Sequence, residues 1–363
     1  MKHVTLVATL MRLTEKERPL FLLETHAGRG LYDLESRDGA AEAARGILKL
    51  AAAPLPGTPP ACIARYLGII ESFNARADAK PRWYPGSPLI ATTLLRSQDR
   101  AAFCELLPTE ADLLRREFRN DTRIGVHSRD GFEALGALLP PAEKRGLALI
   151  DPPYEVQETD LARVADALAD TARRWPQGVL MAWYPIKQGV VAARLHRRLL
   201  EAEVPKLLLA ELCIHPDDSR AGLNGSGLVI LNPPWQLDAD LREAMPFLHA
   251  VLSAEGAGTM DIGLTMLNVN DARSCLNAGT YGTMGLGLGN AIAAAIVHPD
   301  RPVVHLSGDS AIGFSGMEME TLARYNLPVK IVVLNNGGIG PGMPEMLAPT
   351  GALMTFIALW TGA

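Results

Sequence analysis

The run Leu147-Ala148-Leu149-Ile150-Asp151-Pro152-Pro153-Tyr154 sets a carboxylate, a proline-stiffened turn and an aromatic ring directly behind an apolar stretch. Such a loop suits attack by an exocyclic amine, such as N6 of adenine, whose lone pair is delocalised into its ring. Two acceptors for the amine hydrogens, the Asp151 carboxylate and the Pro152 carbonyl, favour a pyramidal nitrogen with its lone pair aimed at an electrophilic methyl. Proline has its φ fixed and so holds that carbonyl in place. Tyr154 offers a face against which an extruded base can stack. The methyl donor this chemistry calls for is S-adenosylmethionine, and the reaction is an in-line displacement governed by positioning and electrostatics. A proline-terminated strand in an ordinary α/β protein is the plainer reading of these residues, and the nucleoside-type residues upstream weigh against it.

Those residues also follow apolar runs. Leu20–Leu23 is followed by Glu24-Thr25-His26-Ala27-Gly28-Arg29-Gly30, where glycines permit a tight turn and close approach of a ligand to backbone. Glu105 ends the next run and can accept hydrogen bonds from ribose hydroxyls; Asp130-Gly131 ends the one after and can bracket an adenine ring. Each taken singly also reads as a tight turn or a solvated carboxylate. A second proline pair, Asn232-Pro233-Pro234-Trp235, competes with the first; no glycine-rich turn or ribose acid follows it, and it reads as a strand-end turn packed by Trp235.

The elements that must position these groups alternate. Strands are expected at Leu20–Leu23, Ala102–Leu106, Arg123–His127, Gly146–Ile150, Gly178–Trp183, Lys206–Cys213 and Gly227–Leu231, with helical patterns such as Glu110–Phe118, Leu161–Arg174 and Val190–Glu201 between them. That rhythm predicts an α/β fold with a mostly parallel, doubly wound sheet, which binds ligands at the carboxyl ends of its strands. Residues 40–80 break the rhythm and read as a small helical insertion.

Composition bounds the rest. At 363 residues with 48% hydrophobic and 21% charged residues, the chain is globular and long enough for two domains. Only four of the 35 Lys and Arg lie after residue 252, where Gly, Ala, Met and Asn dominate, so a boundary is expected near Ser253 to Gly258, giving domains 1–252 and 253–363. Four scattered cysteines make neither a metal site nor a disulfide framework. No apolar run reaches a membrane span and no signal cleavage site is legible, so a cytoplasmic protein without a membrane partner is expected.

Several blocks together resemble the bacterial large-subunit ribosomal RNA adenine-N6 methyltransferases of the RlmJ type. They are T-H-A-G (Thr25–Gly28), W-Y-P-G-S-P-L-I-A (Trp83–Ala91), D-G-F (Asp130–Phe132), I-D-P-P-Y-E (Ile150–Glu155), W-Y-P (Trp183–Pro185), S-G-L-V-I-L-N-P-P-W (Ser226–Trp235) and F-L-H (Phe247–His249). The resemblance implies a Rossmann-like S-adenosylmethionine-dependent methyltransferase sheet, acting as a monomer on an adenine of 23S ribosomal RNA. It implies that His3, His26, Ser87, Glu105, Asp130 and Gly131 contact the cofactor and that Asp151 accepts the amine. Family members carry a short arm before Lys2-His3, and here the chain starts at Met1. Residues 1–252 carry a net charge of −1, not the basic balance usual for RNA binding. The arginine groups at Arg115-Arg116-Arg119, Arg173-Arg174 and Arg194-Arg197-Arg198 read first as solvated helix faces.

Beyond Glu255 the sequence resembles part of the diphosphate-binding domain of thiamine-diphosphate enzymes of the oxalyl-CoA decarboxylase and 2-hydroxyacyl-CoA lyase group. The blocks are Glu255–Gly263, Gly279–Gly289, Gly308–Thr321 and Asn335–Ile339. This implies a partial α/β domain in which Gly308, Asp309 and Ser310 meet the diphosphate at the end of a strand Val303–Leu306. Asp309, Asn336 and the Gly338 carbonyl would ligate Mg²⁺ as a vestigial site, and Met284 would wedge under thiamine diphosphate. The glutamate-bearing partner domain is not legible in the chain. A thiamine-dependent lyase fragment and an RNA-binding remnant without turnover are the alternatives to the methyltransferase.

Overall fold

The structure is a computed structural model that describes residues 1–36, 44, 46–52, 57–75, 81–154, 157–186, 195–196, 198–199, 202, 204, 206–215, 223–253, 260–265, 285–335 and 355–359. It divides into two compact units, Met1–Asn268 and Val269–Ala363.

The first unit is organised by β1 (Phe21–Glu24), β4 (Arg100–Glu105), β5 (Ile124–Ser128), β6 (Gly146–Ile150), β7 (Val179–Ile186), β8 (Leu207–Cys213), β9 (Gly225–Leu231) and β10 (Met260–Thr265). A separate two-stranded ribbon pairs β2 (Leu31–Asp33) with β3 (Trp83–Pro85). The large sheet runs β5-β4-β1-β6-β7-β9-β8-β10. The five strands from β5 to β7 are parallel, as expected, whereas β9 runs antiparallel to both β7 and β8, and β10 antiparallel to β8.

The central strands are apolar throughout because both faces are covered. Leu22, Phe103, Leu147 and Leu149 pack on one side with the helix Lys2–Thr14, the helix Ala61–Phe73 and the helix Leu237–Leu252. Leu23, Cys104, Ala148 and Ile150 pack on the other with the helices Gly131–Leu138 and Gln157–Arg174. Leu149 is fully buried, so truncation to alanine would cost about 2–5 kcal/mol. The helices Ile47–Ala52 and Ala61–Phe73 lie in the expected insertion, between β2 and β3.

Strand order reverses at β1, with β4 on one side and β6 on the other, which opens a crevice at their carboxyl ends. Glu24, Glu105 and Asp151 all sit at such ends. The second proline pair does not. Because β9 is antiparallel, Leu231 lies opposite Leu180 near the start of β7, while Gly225 lies opposite Ile186. Asn232-Pro233-Pro234 therefore leaves at the opposite edge from Asp151. Trp235 does not pack that turn as expected: it is 85% exposed. The turn is held instead by backbone bonds from Asn232 to Lys206 (2.9 Å) and Leu237 to Pro234 (3.2 Å).

The unit also runs past the composition change at Ser253–Gly258. The free edge of β8 has unpaired backbone groups to satisfy, and β10 pairs with it from Met260↔Leu212 to Thr265↔Leu207.

In the second unit β11 (Val303–Gly308) pairs in parallel with β12 (Val329–Asn335), and β12 pairs antiparallel with β13 (Thr355–Leu359). Leu288, Ala291 and Ala295 of the helix Leu286–Val297 pack with Leu322, Val329, Ile331 and Val333.

Candidate active site

A cavity of about 840 Å³ opens at the carboxyl ends of the first unit's strands. Its walls include Lys2, His3, His26, Ser87, Asp151 and Trp183. The helix Lys2–Thr14 delivers Lys2 and His3 in its first turn, and that helix is anchored by Arg12, whose guanidinium forks onto Asp240 at 2.7 and 2.6 Å. The Lys2 ammonium donates to the Asp151 carboxylate. Burial works against that ammonium, but Asp151 outweighs it and holds the Lys2 pKa above its ordinary value.

His3 stacks on Tyr84 and hydrogen-bonds to its hydroxyl at 2.6 Å, and Tyr84 bonds in turn to Tyr66 at 3.0 Å. The other His3 nitrogen, Nε2, is buried with no partner among the described residues, and burial drives the ring's pKa well below the usual value. His26 bonds through Nδ1 to the Thr25 hydroxyl at 2.7 Å and meets Phe132 edge-on.

Glu105 is close to the glycine turn: its Oε2 accepts from Gly28 N–H and its Oε1 from Leu107 N–H, each at 2.9 Å. Asp130 caps the helix Gly131–Leu138, accepting from Phe132 N–H at 2.7 Å and Glu133 N–H at 3.1 Å, with Arg163 at 3.2 Å on its other oxygen. Burial alone would raise the Asp130 pKa, but those donors pull it below the usual value. Gly131 is required: a Cβ there would lie 2.0 Å from the Thr25 carbonyl oxygen. Glu105, Asp130, Gly131, Pro152 and Tyr154 are not among the cavity walls. The Tyr154 hydroxyl donates to the Trp183 carbonyl, and the two rings are tilted with centroids 5.8 Å apart.

A family model described as "Ribosomal RNA large subunit methyltransferase D, RlmJ" matches residues 17–263. The chain belongs to this family. An Escherichia coli relative named ribosomal RNA large subunit methyltransferase J is 38% identical over 71% of this chain and 91% of its own length. A crystal structure of a Legionella pneumophila protein is 33% identical, covers 72% of this chain and 94% of its own, and superposes with a TM-score of 0.64. Residues 256–342 match the "Thiamine pyrophosphate enzyme, C-terminal TPP binding domain". An Arabidopsis thaliana 2-hydroxyacyl-CoA lyase is 58% identical there, and the match spans 19% of that enzyme's length. Of the second site, Gly308 ends β11, while Met284, Asn336, Gly338 and the side chains of Asp309 and Ser310 lie outside what is described.

Two groups at this crevice escape a motif reading. Lys2 has no motif of its own, since its partner lies 149 residues away. Glu24 ends β1 and is 1% exposed; Ser87 donates to its Oε1, and its Oε2 has no partner among the described residues. Burial pushes the Glu24 pKa up to about 8 from an ordinary 4.5. The folded chain thus holds this proton more tightly than the unfolded chain, so its stabilising effect is complete below about pH 4.5 and is lost as pH rises through about 8. Glu24→Gln should therefore gain stability relative to the parent as pH goes from 5 to 9. Urea denaturation at pH 5, 7 and 9 tests this, and a gap that does not widen with pH would refute it.

Proposed function

We propose that this chain transfers a methyl group from S-adenosylmethionine to N6 of an adenine in 23S ribosomal RNA. The observation that carries the reading is Asp151, which leaves β6 beside the switch-point crevice and faces the cavity with Lys2 and Trp183 alongside. The cofactor, when bound, supplies an electrophilic methyl on a sulfonium. Its fit is supported by Nε2 of His3, which has no partner among the described residues and belongs to a cavity wall, with His26 and Ser87 on the same walls. Each Glu105 oxygen keeps a lone pair beyond its backbone bond, enough for ribose hydroxyls. His26 and Asp130 flank that end.

Asp151 accepts one hydrogen of the target amine and the Pro152 carbonyl the other, which concentrates the nitrogen lone pair toward the methyl. Lys2 pairs with Asp151 until the base arrives and then yields part of its bond to the amine. Trp183 is the ring that walls the base, with Tyr154 bracing it through its carbonyl. The RNA assignment rests on the named relatives.

Glu105→Ala should weaken S-adenosylmethionine binding by about 1–3 kcal/mol, the worth of hydrogen bonds to a charged group. Calorimetry measures this, and unchanged affinity would remove the ribose assignment. The test of the whole reading is transfer of labelled methyl to protein-free 23S RNA, followed by mapping of the modified base. Label on any atom other than an adenine N6 would overturn it.

A further inference from the structure

The β2–β3 ribbon carries two exposed aromatic rings that the reaction chemistry does not use. Tyr32 pairs with Tyr84 across the ribbon, and both line the cavity, yet Tyr32 remains 38% exposed, so its ring lies at the rim. Trp83 pairs with Asp33 on the ribbon's other side and is 37% exposed. The Trp83 backbone is unusually well fixed. Asn74, at the end of the helix Ala61–Phe73, accepts from the backbone N–H groups of Arg82 and Trp83 and donates to the Trp83 carbonyl, all at 2.8 Å. The Arg82 guanidinium lies 5.1 Å from the Trp83 ring centroid, and that of Arg29 lies 6.0 Å from Tyr32.

We infer that this ribbon is the RNA-docking edge of the site, with Tyr32 at the cavity rim stacking the base next to the target adenine and Trp83, on the ribbon's other face, stacking an unpaired base further along the strand. The inference rests on the proposed RNA substrate. A base extruded into the cavity leaves its neighbours with bare faces, and an aromatic ring recovers that stacking, here from a backbone that needs no further ordering. Stacking, not phosphate pairing, is the contact, because the nearby guanidinium groups are already balanced by acids: Arg82 by Asp33 and Glu35, Arg29 by Glu110.

The experiment compares Trp83→Leu and Trp83→Phe with the parent full-length chain, by filter binding of protein-free 23S RNA across a salt series and by calorimetry of S-adenosylmethionine. Trp83→Leu should raise the RNA Kd about tenfold, within the range that stacking of one base supplies. Trp83→Phe should restore most of the loss, and cofactor affinity should not change. The slope of log affinity against log salt should stay the same, since no phosphate contact is removed. Equal RNA affinity for the Leu variant and the parent, no rescue by Phe, a matching loss of cofactor affinity or a reduced salt slope would each overturn the proposal. Failure of the parent to methylate RNA would count against the proposed reaction alone, because the binding comparison does not depend on turnover.

Discussion

Asp151→Ala should lower methyl transfer by about 10²–10³-fold or more, the scale of losing one preorganised hydrogen-bond partner of a transition state, while S-adenosylmethionine binding stays close to the parent's. On the proposed mechanism the two readouts separate, because Asp151 would serve the amine and Glu105, His26 and Asp130 the cofactor. Asp151→Asn is the sharper variant. It keeps the size of the side chain but sets a neutral amide against the Lys2 ammonium, whose side chain is 25% exposed. That loses both the ion pair and the charge on the acceptor, so Asn should rescue little. Labelled transfer to protein-free 23S RNA and calorimetric titration of the cofactor measure the pair. Full turnover in either variant would remove Asp151 from the mechanism.

A chain ending at Leu252 should be markedly less stable than one ending at Asn268. Composition places the boundary after Leu252, but that cut removes β10 and leaves the six-residue edge of β8 unpaired. Leu212, Ile214, Leu248 and Leu252 line the cavity, so loosening that edge also loosens a wall of the site. We expect the shorter chain to melt about 5 °C lower or more, equivalent to a loss of only one to two kcal/mol in a domain of this size, and to transfer methyl groups poorly. The chain ending at Asn268 should match the full chain. Thermal melts and single-turnover transfer on the same RNA check both statements, and equal melting of the two truncated chains would mean β10 contributes nothing.

Much of the fold was legible locally. The apolar runs that became β1, β4, β6 and β7 are short and bounded by turn residues, and a strand buried on both faces announces itself by unbroken hydrophobicity. β6 matches Gly146–Ile150 to the residue. The helix Lys2–Thr14 shows its apolar pattern as well. Glu105 and Asp130, the acids proposed for the cofactor, were legible as strand-end positions because they follow such runs. What escaped was pairing over distance: Lys2 with Asp151, Ser87 with Glu24, and His3 with Tyr84.

The sequence by itself determined the fold class, the family and the identity of the acidic and glycine positions at the strand ends, because each follows from residue types in one short stretch. The sequence set the second proline pair aside for want of a glycine-rich turn or ribose acid after it, and the tertiary structure decided where that pair lies. They read alike as tetrapeptides, and the antiparallel direction of β9 alone sends Asn232-Pro233-Pro234 to the far edge. It also decided where the first unit ends. Residues 256–263 fall within both family matches, and backbone pairing with β8, which no side-chain pattern specifies, assigns Met260–Thr265 to the large sheet. The raised proton affinity of Glu24 was decided there too, since a carboxylate at a strand end is ordinary until neighbouring strands and the helix Ser87–Thr92 close water away from it.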